Sequence, residues 1–119
     1  MSQITRINAD NRMSEVIICG DRIYTCGIVA DKMAGKSVYE QTKETLAQID
    51  ALLAQAGSDK EHMLKANIWL SDMGTFDEMN RAWDAWVVPG KTPARATVEA
   101  RLAAPEYAVE IMIEAIARG

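Results

Sequence analysis

His62 is the only histidine, and Cys19 and Cys26 the only cysteines, in a chain of 119 residues. A single imidazole rules out a multi-histidine metal centre, and it leaves Ser-His or Cys-His catalysis resting on one side chain. That side chain lies in the polar connection Ser58 to His62, where an exposed, inert histidine is the ordinary outcome. The two cysteines stand seven positions apart, which matches no CxxC redox or zinc spacing. Cys26 would be a nucleophile only with a depressed pKa; in an apolar strand it is expected to pack as a small reduced thiol. Chemistry therefore falls to arginine, carboxylates, hydroxyls and backbone groups. Arg95 lies in an alternating segment where a solvated or ion-paired sheet arginine is the common case. Glu110 and Glu114 share one face of the last apolar segment, and one of them is expected to be a partner for Arg101 or a surface charge. Trp83 and Trp86 could stack on bases, but their spacing with Met79 and Val87 is that of a buried helix face.

Charge narrows the partners. Seventeen acidic against thirteen basic residues give a net charge of −4 and repel a phosphate backbone, so nucleic acid is not expected as a partner. Apolar runs such as Val16-Ile17-Ile18-Cys19 are too short to span a bilayer, and Met1 to Arg6 lacks the apolar core of a signal peptide. A cytoplasmic protein without membrane attachment is the expectation. No repeat or Pro/Gly/Ser linker interrupts the chain, so residues 1–119 read as one domain, long enough to bury about two-thirds of its unfolded surface.

The elements that must hold these residues follow from periodicity. Glu15 to Cys19 and Arg22 to Cys26 read as a hairpin turned at Gly20-Asp21. Ser37-Val38-Tyr39-Glu40 is a capping box that opens a helix over 38–56, with Val38, Thr42, Thr45, Leu46, Ile49 and Leu53 on one face and Gly57 as the stop. Leu64, Ala66, Ile68 and Leu70 alternate as a strand. Thr75-Phe76-Asp77-Glu78 repeats the capping pattern before a second helix that ends ahead of Pro89-Gly90. Residues 94–102 and 109–117 alternate as two further strands. Hairpin, helix, strand, helix, strand, strand gives an α+β sandwich with both helices on one face of the sheet. The opposite face, expected to carry Trp69, Thr97, Met112 and Ile116, is too apolar to be solvated, so self-association through it is expected.

Pro93-Ala94-Arg95-Ala96-Thr97-Val98 followed by Val109-Glu110-Ile111 resembles the reactive-intermediate deaminases of the RidA/YjgF/L-PSP family. Tyr24-Thr25-Cys26-Gly27, Gln41-Thr42, Ala56-Gly57 and Asn80 extend the likeness nearly end to end. Residues 79–87 and Pro105-Glu106-Tyr107 look closest to its YoaB-like branch. The resemblance implies a chorismate-mutase-like βαβαββ fold and a homotrimer whose sheets line a central barrel, with clefts between subunits. It implies cofactor-free hydrolysis of imines or enamines, shed by pyridoxal-phosphate dehydratases, to 2-oxo acids and ammonia. Arg95 would clamp the substrate carboxylate and Glu110 of a neighbouring subunit would hold the attacking water. Met13, Cys26, Gly27, Asn80 and Thr97 would line the substrate site. Met13 replaces an aromatic hydroxyl and Cys26 a serine found in many members. Aligning Glu114-Ala115-Ile116-Ala117 instead would move the glutamate position onto Met112; Glu110 keeps the family's spacing from Arg95 without a gap. Two other functions compete: a non-catalytic 2-oxo acid binding protein using the same cleft, and an endoribonuclease, which the acidic balance and lone histidine disfavour.

Overall fold

The computed structural model describes residues 3–119, so the first two residues of the N-terminal stretch read above lie outside it. The chain starts with β1 (Ile4–Ile7), a short strand the sequence reading did not anticipate. It pairs antiparallel with β2 (Val16–Cys19), which turns at Gly20 into β3 (Arg22–Thr25). Gly20 adopts a φ of 64°, a left-handed conformation that costs a residue without Cβ almost nothing. The Cys26 amide donates to the Glu15 carbonyl at 2.8 Å and so carries the hairpin one residue further.

The first helix, α1 (Val38–Gln55), starts as the capping box predicts. Ser37 is extended and its hydroxyl accepts from the Glu40 amide at 3.1 Å. A second free amide of that first turn, Tyr39, donates to the Glu78 carboxylate at 2.9 Å, so a residue of the other helix completes the cap. Gly57, at φ 83°, ends the helix.

β4 (Met63–Leu70) carries a register shift between Met63 and Lys65. The shift turns Leu64 outward, 38% exposed, so it does not share the inward face of Ala66, Ile68 and Leu70 as its spacing suggested. The second capping box does not form: Thr75 makes no side-chain cap for α2 (Phe76–Trp86). Asp72 organises the turn instead, accepting from the Gly74 amide at 2.8 Å, and the Thr75 hydroxyl donates back to the Asp72 carbonyl. Glu78 is thereby free to serve α1.

β5 (Ala94–Glu99) runs parallel to β4 and stops three residues short of the expected 102. β6 (Val109–Ile116) is antiparallel to both β3 and β4. All six strands form one sheet in the order β1-β2-β3-β6-β4-β5. Ile23, Ile68, Leu70, Ile111 and Ile113 are at most 1% exposed between the sheet and the two helices. At roughly 1.5–3 kcal/mol for each such side chain, this layer is what holds the helices to one face. The other face is uncovered and carries Trp69, Met112 and Ile116, as expected. Thr97 is not among them. It stands beside buried Ile68 in the β4–β5 register and faces the helices, while Ala94, Ala96 and Val98 take the open side. Among the described residues no helix is long and apolar enough to cross a membrane.

Candidate functional site

Arg95 is the second residue of edge strand β5 and lies beside Ala66 of β4. That parity sends its side chain toward α2. There Nη1 donates to the Asn80 side-chain carbonyl at 2.7 Å, and the guanidinium lies 5.4 Å from the Trp83 ring centre and 5.7 Å from that of Phe76. Phe76, Asn80 and Trp83 recur at the helical i, i+4, i+7 spacing, so a single stripe of α2 serves one cation. Burial lowers the Arg95 pKa, and attraction to Asp84 partly restores it. No carboxylate comes within ion-pair distance of Arg95 among the described residues. The cation is thus oriented by a neutral acceptor and two aromatic rings, with no carboxylate bonded to it and Asp84 acting only from beyond ion-pair distance. Thr97, two residues on, shares this side, and its hydroxyl is buried without a partner.

Glu110 is the second residue of β6 and stands opposite Trp69 on the uncovered face. Its carboxylate lies directly against Gly27: a Cβ there would come within 2.9 Å of Glu110 Cδ. The close approach is set by a bridge in which the Ile28 and Ile111 amides donate to each other's carbonyls, at 2.8 and 3.0 Å. Next to this slot, burial and the charges of Glu15 and Glu110 push the Cys26 thiol up, which keeps it protonated at neutral pH. A packing role, not a nucleophilic one, suits it. Met13 precedes Glu15 on an exposed turn where the Asp10 carboxylate accepts from the Arg12 and Met13 amides. Glu114 is further along the same face, between Tyr24 and Lys65.

The structure therefore gathers Arg95, Asn80 and Thr97 in one cluster and Cys26, Gly27 and Glu110 in another. They do not meet within one chain. Arg95 is level with Ala66 and Ile113, and Glu110 with Trp69 and Val98. The offset is three residues, about 10 Å along the strands, with about 10 Å more across the two strand spacings. With Leu102 and Val109 standing level the offset would be six residues; the observed register puts Val98 level with Glu110 instead. The separation stands even so, since the two side chains leave opposite faces of the sheet. Phe76 and Trp83 were legible only as core; their spacing with Asn80 was the available sign of a second duty.

Away from both clusters, His62 Nδ1 sits 2.7 Å from an Asp59 oxygen, and Trp86 donates its indole N–H to Asp50 at 2.9 Å. A cleft of about 440 Å³ beside the 99–107 segment and a groove between α1 and α2 include neither Arg95 nor Glu110.

The family model described as endoribonuclease L-PSP matches residues 3–118. This chain belongs to the L-PSP family. Among L-PSP relatives, the RutC family protein YoaB of Escherichia coli is 48% identical over 112 residues, 94% of this chain and 96% of that protein. A RutC family protein of Haemophilus ducreyi is 46% identical over 94% of this chain and 95% of its own length. The crystal structure of a YjgF-family protein from Neisseria meningitidis superposes with a TM-score of 0.94 at 50% identity, over 98% of this chain and 97% of that one. The likeness to the YoaB-like branch read from the sequence is therefore correct.

Proposed function

We propose that this L-PSP chain hydrolyses reactive enamines and imines of the 2-aminoacrylate and 2-iminopropionate type, released by pyridoxal-phosphate dehydratases, to 2-oxo acids and ammonia. It acts in the cytoplasm, without a cofactor, as a chorismate-mutase-like homotrimer whose uncovered sheet faces line a central barrel. The observation that carries this reading is the half-buried Arg95 guanidinium, oriented by Asn80, Trp83 and Phe76 and matched by no carboxylate among the described residues. Such a cation awaits an anion from outside the chain, and its planar fork suits a carboxylate with two parallel bonds.

The chemistry follows from what the substrate carries. With its carboxylate on Arg95, an imine presents its C=N carbon to a water held by Glu110 of the neighbouring subunit. Glu110 takes a proton from the water as its oxygen bonds to the carbon of the N-protonated imine, whose C=N pair of electrons moves to nitrogen, giving a neutral carbinolamine. Glu110 returns that proton to the nitrogen and takes the one on the carbinol hydroxyl as the C–N bond breaks, so that ammonia leaves and the 2-oxo acid forms. Thr97 and Asn80 lie on the Arg95 side of the joint site; Gly27, Cys26 and Met13 come with Glu110.

A non-catalytic 2-oxo acid binding protein is the second reading. It is favoured by the environment of Glu110, where the neighbouring Cys26 thiol stays protonated and supplies no second base. Ribonuclease activity, the description attached to the family model, would need cationic phosphate contacts and paired acid-base groups, and this chain offers a net charge of −4 and a lone histidine engaged with Asp59. The deciding experiment generates 2-aminoacrylate or 2-aminocrotonate with a dehydratase and follows imine decay. Acceleration over buffer that disappears in Glu110→Gln supports the deaminase; no acceleration, with 2-oxo acid binding intact, supports the binding protein.

A further inference from the structure

Two glutamines of α1 hold backbone on both sides of the slot in which Glu110 sits. Gln41, 1% exposed, uses its side-chain amide three times. Its nitrogen donates to the carbonyls of Lys36 at 3.0 Å and Glu106 at 2.9 Å, and its oxygen accepts from the Ala108 amide at 2.8 Å. Ala108 is two residues before Glu110, and its own carbonyl accepts from the Ser71 amide at 3.1 Å, so both polar groups of that residue are fixed. Gln48, one heptad later and therefore on the same side of the helix, donates to the carbonyl of Val29 at 3.1 Å. Val29 is two residues past Gly27, the wall against which the Glu110 carboxylate rests.

An apolar residue at position 41 would serve packing alone. A buried amide with both donors and its acceptor committed to backbone fixes geometry as well, because each of those groups is costly to leave unpaired. We infer that Gln41 and Gln48 are positioning residues that reference the two walls of the Glu110 slot, the lead-in to β6 and the loop after Gly27, to one rigid helix. Neither touches the reacting atoms. This rests on the reading of Glu110 as the water-holding group. The hydroxyl of Tyr107, bonded to Asp31, fastens the same two segments from outside.

The test compares steady-state imine hydrolysis by Gln41→Met, Gln48→Met and Glu110→Gln with the wild-type protein. Because Arg95 is untouched, each methionine variant should keep KM within about threefold while kcat falls about tenfold or more, the scale expected when a reacting group shifts by a fraction of an ångström. Gln48 is only half-buried, so its variant remains informative if Gln41→Met fails to fold. Gln48→Lys, which restores a donor of similar reach, should recover kcat; a simple packing defect would not be repaired by a charged side chain. A folded methionine variant with wild-type kcat, or one that changes only KM, overturns the inference while inactive Glu110→Gln leaves the deaminase reading standing. Full activity in Glu110→Gln overturns both, since nothing would remain to be positioned.

Discussion

Gly27→Ala isolates the placement of Glu110 from its identity. The added Cβ would stand 2.9 Å from Glu110 Cδ and 3.3 Å from Cγ, and ordinary contact begins at 3.4 Å. Cδ must therefore retreat by about half an ångström and Oε2, which is nearer still, by more. The backbone at Gly27 is not left-handed, and the obstructing atoms end a flexible side chain, so rotation about the outer bonds of Glu110 relieves the clash. Stability should change by less than about 1 kcal/mol, with the entropy lost by the unfolded chain acting in favour of alanine. A displacement of that order, against about a hundredfold for 1 Å, is expected to lower kcat about ten- to a hundredfold, or about 1.4–2.7 kcal/mol on the barrier. The assay is decay of dehydratase-generated 2-aminoacrylate, with thermal unfolding measured alongside. A well-folded Gly27→Ala protein with turnover within about twofold of wild type would refute the reasoning, because the carboxylate would then work equally well away from the place it occupies now.

Arg95→Lys keeps the charge but loses the two parallel donors and the flat surface that rests on Trp83, and should cost about 2 kcal/mol, or about thirtyfold in kcat/KM; near-normal kinetics would remove the clamp. Mixing inactive Arg95→Ala and Glu110→Ala proteins, dissociating them and reassembling should restore part of the activity, since some clefts regain both residues; no recovery from confirmed mixed trimers would place the site elsewhere. Ser37→Ala removes the acceptor for the Glu40 amide and should destabilise the fold by about 1 kcal/mol, lowering Tm by about 4 °C with kcat unchanged, a result calorimetry and the imine assay can check together.

Periodicity located both helices and five of the six strands because long segments repeat the same preference many times. β1 escaped it: Ile4-Thr5-Arg6-Ile7 is too short to establish alternation, and its existence depends on the edge that β2 offers. Thr97 was assigned to the wrong face for a related reason. Alternation fixes which residues of a strand lie together, whereas only packing decides which set meets the helices. In β5 the apolar members are mostly alanines, which gain little by burial, so the Arg95 and Thr97 set takes the helix side, where Asn80 and two rings receive the guanidinium. The second capping box fails because the Thr75 hydroxyl is turned back to donate to the Asp72 carbonyl, in a turn that Asp72 itself organises through the Gly74 amide. The motif marked Arg95 and Glu110 as candidates, but their division between two faces was not legible, because it depends on the register in which β4 pairs between strands that are consecutive in sequence.

The position of β6 bears on how the chain comes to be folded at all. It is the sixth strand in chain order yet lies third from one end of the sheet, joining the β1-β2-β3 half to the β4-β5 half. During synthesis those halves emerge first, each with a strand edge open and an apolar layer lacking its middle. Pairing Ile23 with Ala115 closes a loop of more than ninety residues, a contact that forms late and costs much chain entropy. Until then two unpaired edges are exposed to other nascent copies, in a protein whose finished surface is itself read as self-associating. Slow refolding from denaturant is the behaviour expected of this strand order.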